Sequence, residues 1–237
     1  MQRAARLVTY LEHLKTLLTS ELNIWIARSL PFIIRRSLNT GLHRIWLKGD
    51  FSELPKSGLI LAGNHSSWWD AYLAWFLLQR LPVPGVGAAR RETLEKFPFF
   101  KRIGAVDVSG VRGLLRRLRG GEAVFIFPEG DMRPPGRVQR VKPGLVFLAE
   151  RAGVPVYPVA IRTVMRGAQK PEAFVVLGEK LKAAGDFQHR MNGLLADLDG
   201  YLLELHPEAE PEGFVSLARQ NRRFDERIAG LGKLWRS

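Results

Sequence analysis

The apolar positions in the first fifth of the chain recur at helical spacing. A repeat of three or four residues places apolar side chains on one face of a helix, and it appears twice before residue 49. We therefore predict two helices within residues 1–48, with Pro31 starting or kinking the second. Their apolar positions are Leu7, Leu11, Leu14 and Leu18 in the first, and Trp25, Ile26, Leu30, Ile33, Ile34 and Leu38 in the second.

Basic residues lie between these apolar positions throughout the predicted helices. Tryptophan and aliphatic side chains on one face, with arginine and lysine on the other, are typical of helices that lie in a membrane interface. The same periodicity also suits packing against the core of a domain, and the pattern does not separate the two. We treat residues 1–48 as an amphipathic element and a candidate membrane-surface anchor.

From residue 49 the pattern changes to short apolar runs that alternate with helical segments. Residues 58–63 form an apolar run bounded by glycines, which predicts a buried strand, and a helix is predicted over 66–78. This alternation predicts an α/β domain over 49–213, with a central, mostly parallel sheet flanked by helices. Residues 214–237 are rich in arginine and are predicted to form a basic tail or helix. The other predicted strands are 104–108, 123–127, 156–161 and 174–177, and the other helices are 112–119 and 144–151.

The net charge and the composition indicate which classes of molecule the protein can bind and which kinds of site it cannot contain. The chain has 237 residues, a net charge of +13 and no cysteine. The charge favours anionic partners, namely nucleic acid, acidic lipid headgroups or phosphorylated substrates, although a solvated basic surface would also produce it. The lack of cysteine excludes disulfides, thiolate metal sites and a cysteine nucleophile. Because the apolar runs are shorter than a membrane span, we expect any membrane contact to be peripheral.

The first segment with candidate chemistry is the run from Asn64 to Asp70, N-H-S-S-W-W-D. It places His65 where the strand ends and the helix begins, a position at which open sheets hold ligands. Asp70 lies early in the helix, so its carboxylate can fold back onto the imidazole and fix its tautomer. His65 would then act as a general base toward a hydroxyl. The alternative is a structural histidine at a capped helix N-terminus.

The second segment, F-P-E-G-D-M-R, follows the strand that ends at Phe127. It places Glu129 and Arg133 on the same rim as His65, where they can orient a polar acceptor, with Arg133 available for a phosphate. A surface turn with a self-neutralising ion pair is the alternative. A third segment, V-P-V-Y-P-V from Val154 to Val159, has two prolines around a strand start and leads toward that rim.

The order and spacing of the three segments resemble the glycerolipid acyltransferase family, typified by 1-acylglycerol-3-phosphate acyltransferase. The family pattern is N-H-x-x-x-x-D, F-P-E-G and V-P-x-x-P-V, and the resemblance covers about residues 45–180. It implies acyl transfer from acyl-CoA or acyl carrier protein, as co-substrate and without a cofactor or metal, to the hydroxyl of a lysophospholipid. It implies that His65 is the general base and that Asp70 orients it. It also implies that Glu129 and Gly130 bind the acceptor and that Pro158 lies on the acyl-donor side.

Two departures from the family pattern concern the acceptor. The basic residue usual after the aspartate of a middle block is missing, because Val108 follows Asp107 here. After F-P-E-G, Asp131 and Met132 precede Arg133, where the family has a small hydroxyl residue and then arginine. An additional carboxylate repels a doubly charged phosphate. Long side chains can compensate from displaced positions, so the acceptor-binding candidates are Glu129, Gly130, Arg133 and Arg112, with Arg90 as a further possibility.

The acceptor therefore stays open between 1-acylglycerol-3-phosphate, which we favour, and a phosphate-free glycolipid or lyso-aminolipid. A non-catalytic basic membrane-binding protein is the alternative from another class, and the intact His65 and Asp70 argue against it. We expect a peripheral location on the cytoplasmic face of the cell membrane, with membrane lipids as partners. No nucleic-acid partner is expected, because no recognised module surrounds the arginines at 112, 116, 117 and 119. No metal-ligand spacing appears among the other histidines.

Overall fold

An eight-stranded sheet forms the centre of the protein. The computed structural model describes residues 29–219. Along the sheet the strand order is β4-β3-β5-β2-β6-β7-β1-β8. The strands are β1 Arg44–Lys48, β2 Leu59–Gly63, β3 Gly85–Ala89, β4 Ala105–Asp107, β5 Ala123–Ile126, β6 Val156–Val164, β7 Glu172–Leu177 and β8 Val215–Arg219.

Most neighbouring strands in the sheet are parallel. The block β4-β3-β5-β2-β6 is parallel throughout. Strand β7 runs antiparallel to β6 and parallel to β1, and β8 is antiparallel to β1. The predicted α/β class with a mostly parallel sheet is confirmed. Because parallel strands end at the same edge, the segments that follow β2, β3, β4 and β5 meet at one rim of the sheet.

Helices cover both faces of the sheet. On one face α1 and α2 pack against Leu61 and Phe125, and on the other α5, α6 and α7 pack against Ile60 and Val124. Successive strand residues point to opposite faces, so a strand buried on both sides has a continuous apolar sequence. The helices are α1 over residues 29–41, α2 Trp69–Leu78, α3 Arg91–Lys96, α4 Phe99–Arg102, α5 Val111–Arg119, α6 Gly144–Ala152 and α7 Phe187–Glu204.

Two strands of the sheet lie outside the bounds predicted for the α/β domain, residues 49–213. Residues 44–48 form β1 inside the sheet rather than the end of a helix, and residues 215–219 form β8 beside it. In β1, Ile45 and Leu47 pack on one face while Trp46 packs on the other, which is the period of a strand. This five-residue run is too short to stand out behind the longer helical pattern. Residues 220–237 lie outside the described residues, as do residues 1–28.

The described part of the N-terminal element packs against the core. Leu30, Ile34 and Leu38 are buried on one face of α1, whereas Phe32 and Ile33 are exposed. Core packing therefore accounts for one face of α1, and a membrane anchor formed with the preceding residues stays a prediction. Within residues 29–219, no helix is both long enough and apolar enough to cross a bilayer.

Candidate active site

Asn64 fixes the path of the chain as it leaves β2. Its side-chain amide donates to the carbonyl of Ile161 at 3.0 Å, and its side-chain oxygen accepts from the N–H of Ile161 at 2.7 Å. These two bonds continue the pairing of β2 with β6 by one step, through a side chain that is 2% exposed. The next residue, His65, is thereby held at the rim of the sheet.

His65 and Asp70 are in contact, as the sequence predicted. Nδ1 of His65 lies 3.0 Å from Oδ2 of Asp70. A carboxylate can only accept, so this contact assigns the proton to Nδ1 and leaves Nε2 with a free lone pair. The imidazole lines a cavity at the rim of the sheet, so Nε2 is the nitrogen available to a bound hydroxyl.

Backbone donors hold the Asp70 carboxylate in place. Its Oδ2 accepts from the N–H groups of Ser66 at 2.6 Å and Ser67 at 2.8 Å, in addition to His65. Asp70 lies in the first turn of α2, where the field of the helix favours a negative charge. The residue is 0% exposed, and no donor to Oδ1 is found among residues 29–219. Three donors on one oxygen fix the position of the histidine's partner.

Residues of the F-P-E-G-D-M-R segment hydrogen-bond to the backbone of His65 and stack on its ring. The N–H of His65 donates to Oε1 of Glu129 at 3.1 Å, and its carbonyl accepts from the N–H of Arg133 at 2.8 Å. The imidazole also stacks on Phe127, with ring centroids 4.3 Å apart and an interplanar angle of 20°. The backbone and the ring of His65 are therefore positioned by the strand end and turn that the F-P-E-G segment forms.

The structure gives Glu129 a positioning contact rather than a place on the cavity wall. The residue is 5% exposed, and burial raises the pKa of its carboxyl, opposed by the hydrogen bond from His65. Gly130 has φ 77° and lies against the side chain of Lys142, where a Cβ would collide with it. This glycine therefore allows both the left-handed turn and the close approach of the lysine. Acceptor binding by Glu129 and Gly130 stays a prediction.

An apolar cavity of about 470 Å³ opens beside His65. Its walls come from α2, β3, α4 and β5, and among the described residues that line it, the basic side chains besides His65 are Arg90 and Lys142. The apolar part of the wall includes Ala74, Trp75, Leu78, Phe100 and Ile103, with Gly87 of β3 among them. A cavity of this volume falls in the range of small-molecule sites, which run from about 300 to 1,000 Å³.

Asp131 lies between the two basic residues of the cavity rim. Its Oδ1 contacts Nη1 of Arg90, and its Oδ2 is 3.8 Å from Nζ of Lys142. Arg90 is also 3.6 Å from Glu92 through its Nε. The carboxylate that departs from the family pattern therefore pairs with two cations at the mouth of the cavity.

Sequence reasoning missed Lys142. It lies eleven residues after Asp131 in the sequence. Its N–H donates to the carbonyl of Pro128 at 2.8 Å, so the chain at Lys142 lies next to the F-P-E-G turn. The available signal was its place just ahead of the predicted helix at 144–151, since a residue that precedes a helix at this edge faces the rim.

The remaining predicted residues lie away from the cavity wall. Arg112 is exposed on α5, and Pro158 is buried in β6, where its carbonyl accepts from the N–H of Gly178 at 2.8 Å. The side chain of Arg133 is exposed, although its charge is near enough to lower the pKa of Glu129. Their predicted roles are not tested by these positions. No group of three possible metal ligands occurs within residues 29–219.

Known proteins resemble this chain in sequence and in fold. The model of the family described as Acyltransferase matches residues 47–162, which include His65, Asp70 and Glu129. A 1-acyl-sn-glycerol-3-phosphate acyltransferase of Pseudomonas aeruginosa is 27% identical over 227 residues, covering 80% of this chain and 85% of that protein.

A solved structure shares the fold. It is the 1-acyl-sn-glycerophosphate acyltransferase PlsC of Thermotoga maritima, with a TM-score of 0.52, 19% identity, and coverage of 81% of this chain and 84% of that one. The likeness of the two structures concerns the fold, and the family match and the curated relative concern the activity. The family model and the curated relative support a glycerolipid acyltransferase family for this chain, and the enzyme is an O-acyltransferase.

Proposed function

We propose that this enzyme transfers a fatty acyl group from an acyl thioester to the free hydroxyl of a lysophospholipid, foremost 1-acylglycerol-3-phosphate, to give phosphatidate. The observation that carries this proposal is the His65–Asp70 pair at the mouth of an apolar cavity. The name of the Pseudomonas aeruginosa relative supports the choice of acceptor. The donor is acyl-CoA or acyl carrier protein, and the chemistry at His65 is the same for both.

In the proposed reaction Nε2 of His65 takes the proton of the acceptor hydroxyl as its oxygen attacks the thioester carbonyl. The new C–O bond forms, the C–S bond breaks, and the departing thiolate receives the proton from the imidazolium. Asp70 stabilises that imidazolium and keeps its ring in the correct orientation. The acceptor attacks directly, so no acyl-enzyme is formed.

The cavity suits the fatty acyl chain of the donor. Its wall is largely apolar and adjoins His65, so a chain within it would place a thioester at the mouth near Nε2. Burial of each methylene contributes about 0.8 kcal/mol, which makes a cavity of this kind selective for chains that fill it.

Gly87→Leu tests this use of the cavity. A Cβ at Gly87 would meet no atom within 4 Å, so a larger side chain can extend into the cavity without disturbing β3. We expect kcat/KM for long-chain thioesters to fall by at least about tenfold, while short-chain thioesters are spared. Steady-state rates over a series of chain lengths measure this.

The matched control for that variant is Gly113→Leu. Gly113 is exposed on α5, and a Cβ there also meets no atom within 4 Å. This control should leave the chain-length profile unchanged. A Gly87→Leu profile that matches the wild type, or an equal loss at every chain length, would contradict an acyl-chain cavity.

Arg90 and Lys142 are the proposed ligands of the acceptor phosphate. Both line the same cavity as His65, and charge-assisted hydrogen bonds to phosphate contribute about 1.5–3 kcal/mol. We expect Lys142→Met to raise the KM for lysophosphatidate by about tenfold or more, with a smaller change in the donor KM. Lys182→Met, at an exposed position outside the cavity, is the control. Equal changes in both KM values would contradict a phosphate contact.

Asp131 favours a second candidate acceptor. Its contacts with Arg90 and Lys142 offset part of the positive charge at the rim, which suits an acceptor that carries hydroxyls and no phosphate. For a phosphate acceptor, Asp131→Ser removes a carboxylate from both cations and should leave activity unchanged or raise it. For a glycolipid acceptor, the same change removes a hydroxyl ligand and should lower activity. Assays of wild type and variant on lysophosphatidate and on a lyso-glycolipid separate the two.

We further propose that the enzyme attaches peripherally to the cytoplasmic face of the membrane. The proposed acceptor is a membrane lipid, and the chain carries a net charge of +13, which attracts it to anionic headgroups. The N-terminal element is the proposed anchor, with most of its predicted apolar repeat in residues 1–28, outside the described residues.

A further inference from the structure

Six aromatic side chains from α2, α4 and the residues that flank α2 and α3 contact one another, and one of them, Phe100, lines the cavity. Neighbouring rings within this group have centroids 4.6–6.4 Å apart. We call the group the aromatic patch, and its members are Trp68, Trp69, Tyr72, Phe97, Phe99 and Phe100. Its first member follows the catalytic histidine by three positions in the sequence.

The aromatic patch extends from the protein surface to the cavity wall. Trp68 is 50% exposed, whereas Phe100 is 9% exposed and lines the cavity. Phe97 connects them, with ring centroids 5.8 Å from Trp68 and 5.9 Å from Phe100. Tryptophan is highly buried on average, and a half-exposed one beside an active site indicates a surface that something else covers.

Basic residues flank the exposed part of the patch. The segment 96–102 reads K-F-P-F-F-K-R, so apolar residues lie between Lys96 on one side and Lys101 and Arg102 on the other. Nζ of Lys96 lies 5.5 Å from the ring centroid of Phe97, and Glu95 is the acidic neighbour in the sequence. Amphipathic aromatic rings with flanking cations are typical of surfaces that lie in the headgroup region of an anionic bilayer.

We propose that the aromatic patch is a membrane-contact surface, inserted at the headgroup boundary of an anionic bilayer, that opens the cavity toward the lipid phase. Cations around the rings complement anionic headgroups, and the rings lead inward to the cavity at Phe100. A lipid can thus reach His65 from the bilayer without crossing water. The inference rests on the proposed function in one respect, namely that a substrate is a membrane lipid.

The lack of cysteine in the chain makes a direct test possible. Trp68→Cys in the full-length protein is labelled with an environment-sensitive fluorophore and mixed with vesicles of phosphatidylglycerol and phosphatidylcholine. We expect a blue shift and strong quenching by brominated lipid tails. The control is Leu203→Cys, 88% exposed on α7, which packs on the opposite face of the sheet. Its label should keep the spectrum seen in water.

The two labels together decide the proposal. A Trp68→Cys label that responds no more than the Leu203→Cys label overturns it, as does an equal and large response of both, which indicates unspecific adsorption. Equal insertion into pure phosphatidylcholine overturns the role of the flanking cations. If Trp68→Cys does not fold, Pro98→Cys, exposed in the same segment, takes its place. Because this readout needs neither donor nor acceptor, insertion and acyl transfer can fail independently.

Discussion

His65→Ala is expected to reduce acyl transfer by about 10²–10⁴-fold while the protein stays folded, because it removes the proposed general base. The backbone contacts of residue 65 with Glu129 and Arg133 survive the change, since they use only its N–H and carbonyl. The loss should therefore appear in kcat. Release of free thiol from the acyl thioester measures the rate.

The control for this variant is His189→Ala, at an exposed position on α7. It should retain the wild-type rate, and both variants should unfold at temperatures close to that of the wild type. A His65→Ala enzyme that keeps more than about a tenth of the wild-type rate would contradict general-base catalysis. If only the unfolding temperature drops, the residue is structural.

The strands at the centre of the sheet could be predicted because burial on both faces marks them. β2 and β5 are apolar at every position and have glycine or proline near their ends, so each run stands out without knowledge of its partners. β3 is different, because its sequence is Gly-Val-Gly-Ala-Ala. Its small side chains leave room for the cavity. The same small side chains give β3 no run of large apolar residues, so the sequence does not mark it as a strand.

In the candidate site, contacts between residues close in sequence could be predicted, whereas contacts between distant residues could not. His65 and Asp70 are five residues apart, and a strand end followed by a helix is enough to bring them together. Lys142 reaches the rim only because the loop before it is held from a distance. Val138 in that loop donates to Asn192 at 2.7 Å and accepts from it at 3.0 Å. No short sequence pattern contains that information.

The family resemblance predicted acceptor-binding residues that the structure does not place at the cavity. Arg112 and Arg90 were both named as residues that could compensate for the basic residue missing after Asp107, and Asp107 itself pairs with Arg91 at 3.0 Å. Arg90, beside it in the sequence, lines the cavity. The segment after β3, which the sequence did not predict as a strand, therefore brings a basic side chain to the cavity, and the roles of Arg90 and Arg112 toward the acceptor stay predictions.

Asp70→Asn is expected to lower kcat by about 10³–10⁴-fold, by analogy with the loss of the aspartate's charge in a Ser-His-Asp triad. The variant keeps the shape of the side chain and removes its charge, so the imidazolium that forms during proton transfer is no longer stabilised. Two orientations of the amide are available, and each is unfavourable for a different reason.

With its oxygen toward the N–H groups of Ser66 and Ser67, the amide NH₂ takes the place of Oδ1, where no partner is found among residues 29–219. With its NH₂ toward His65, it favours the tautomer that has the proton on Nε2, which cannot accept one from the substrate. Both orientations leave the substrate contacts intact, so we expect KM to change little while kcat falls. Asp197→Asn, exposed on α7, is the control. Normal turnover in Asp70→Asn would remove Asp70 from the mechanism and leave His65 to be oriented by Phe127 and the backbone alone.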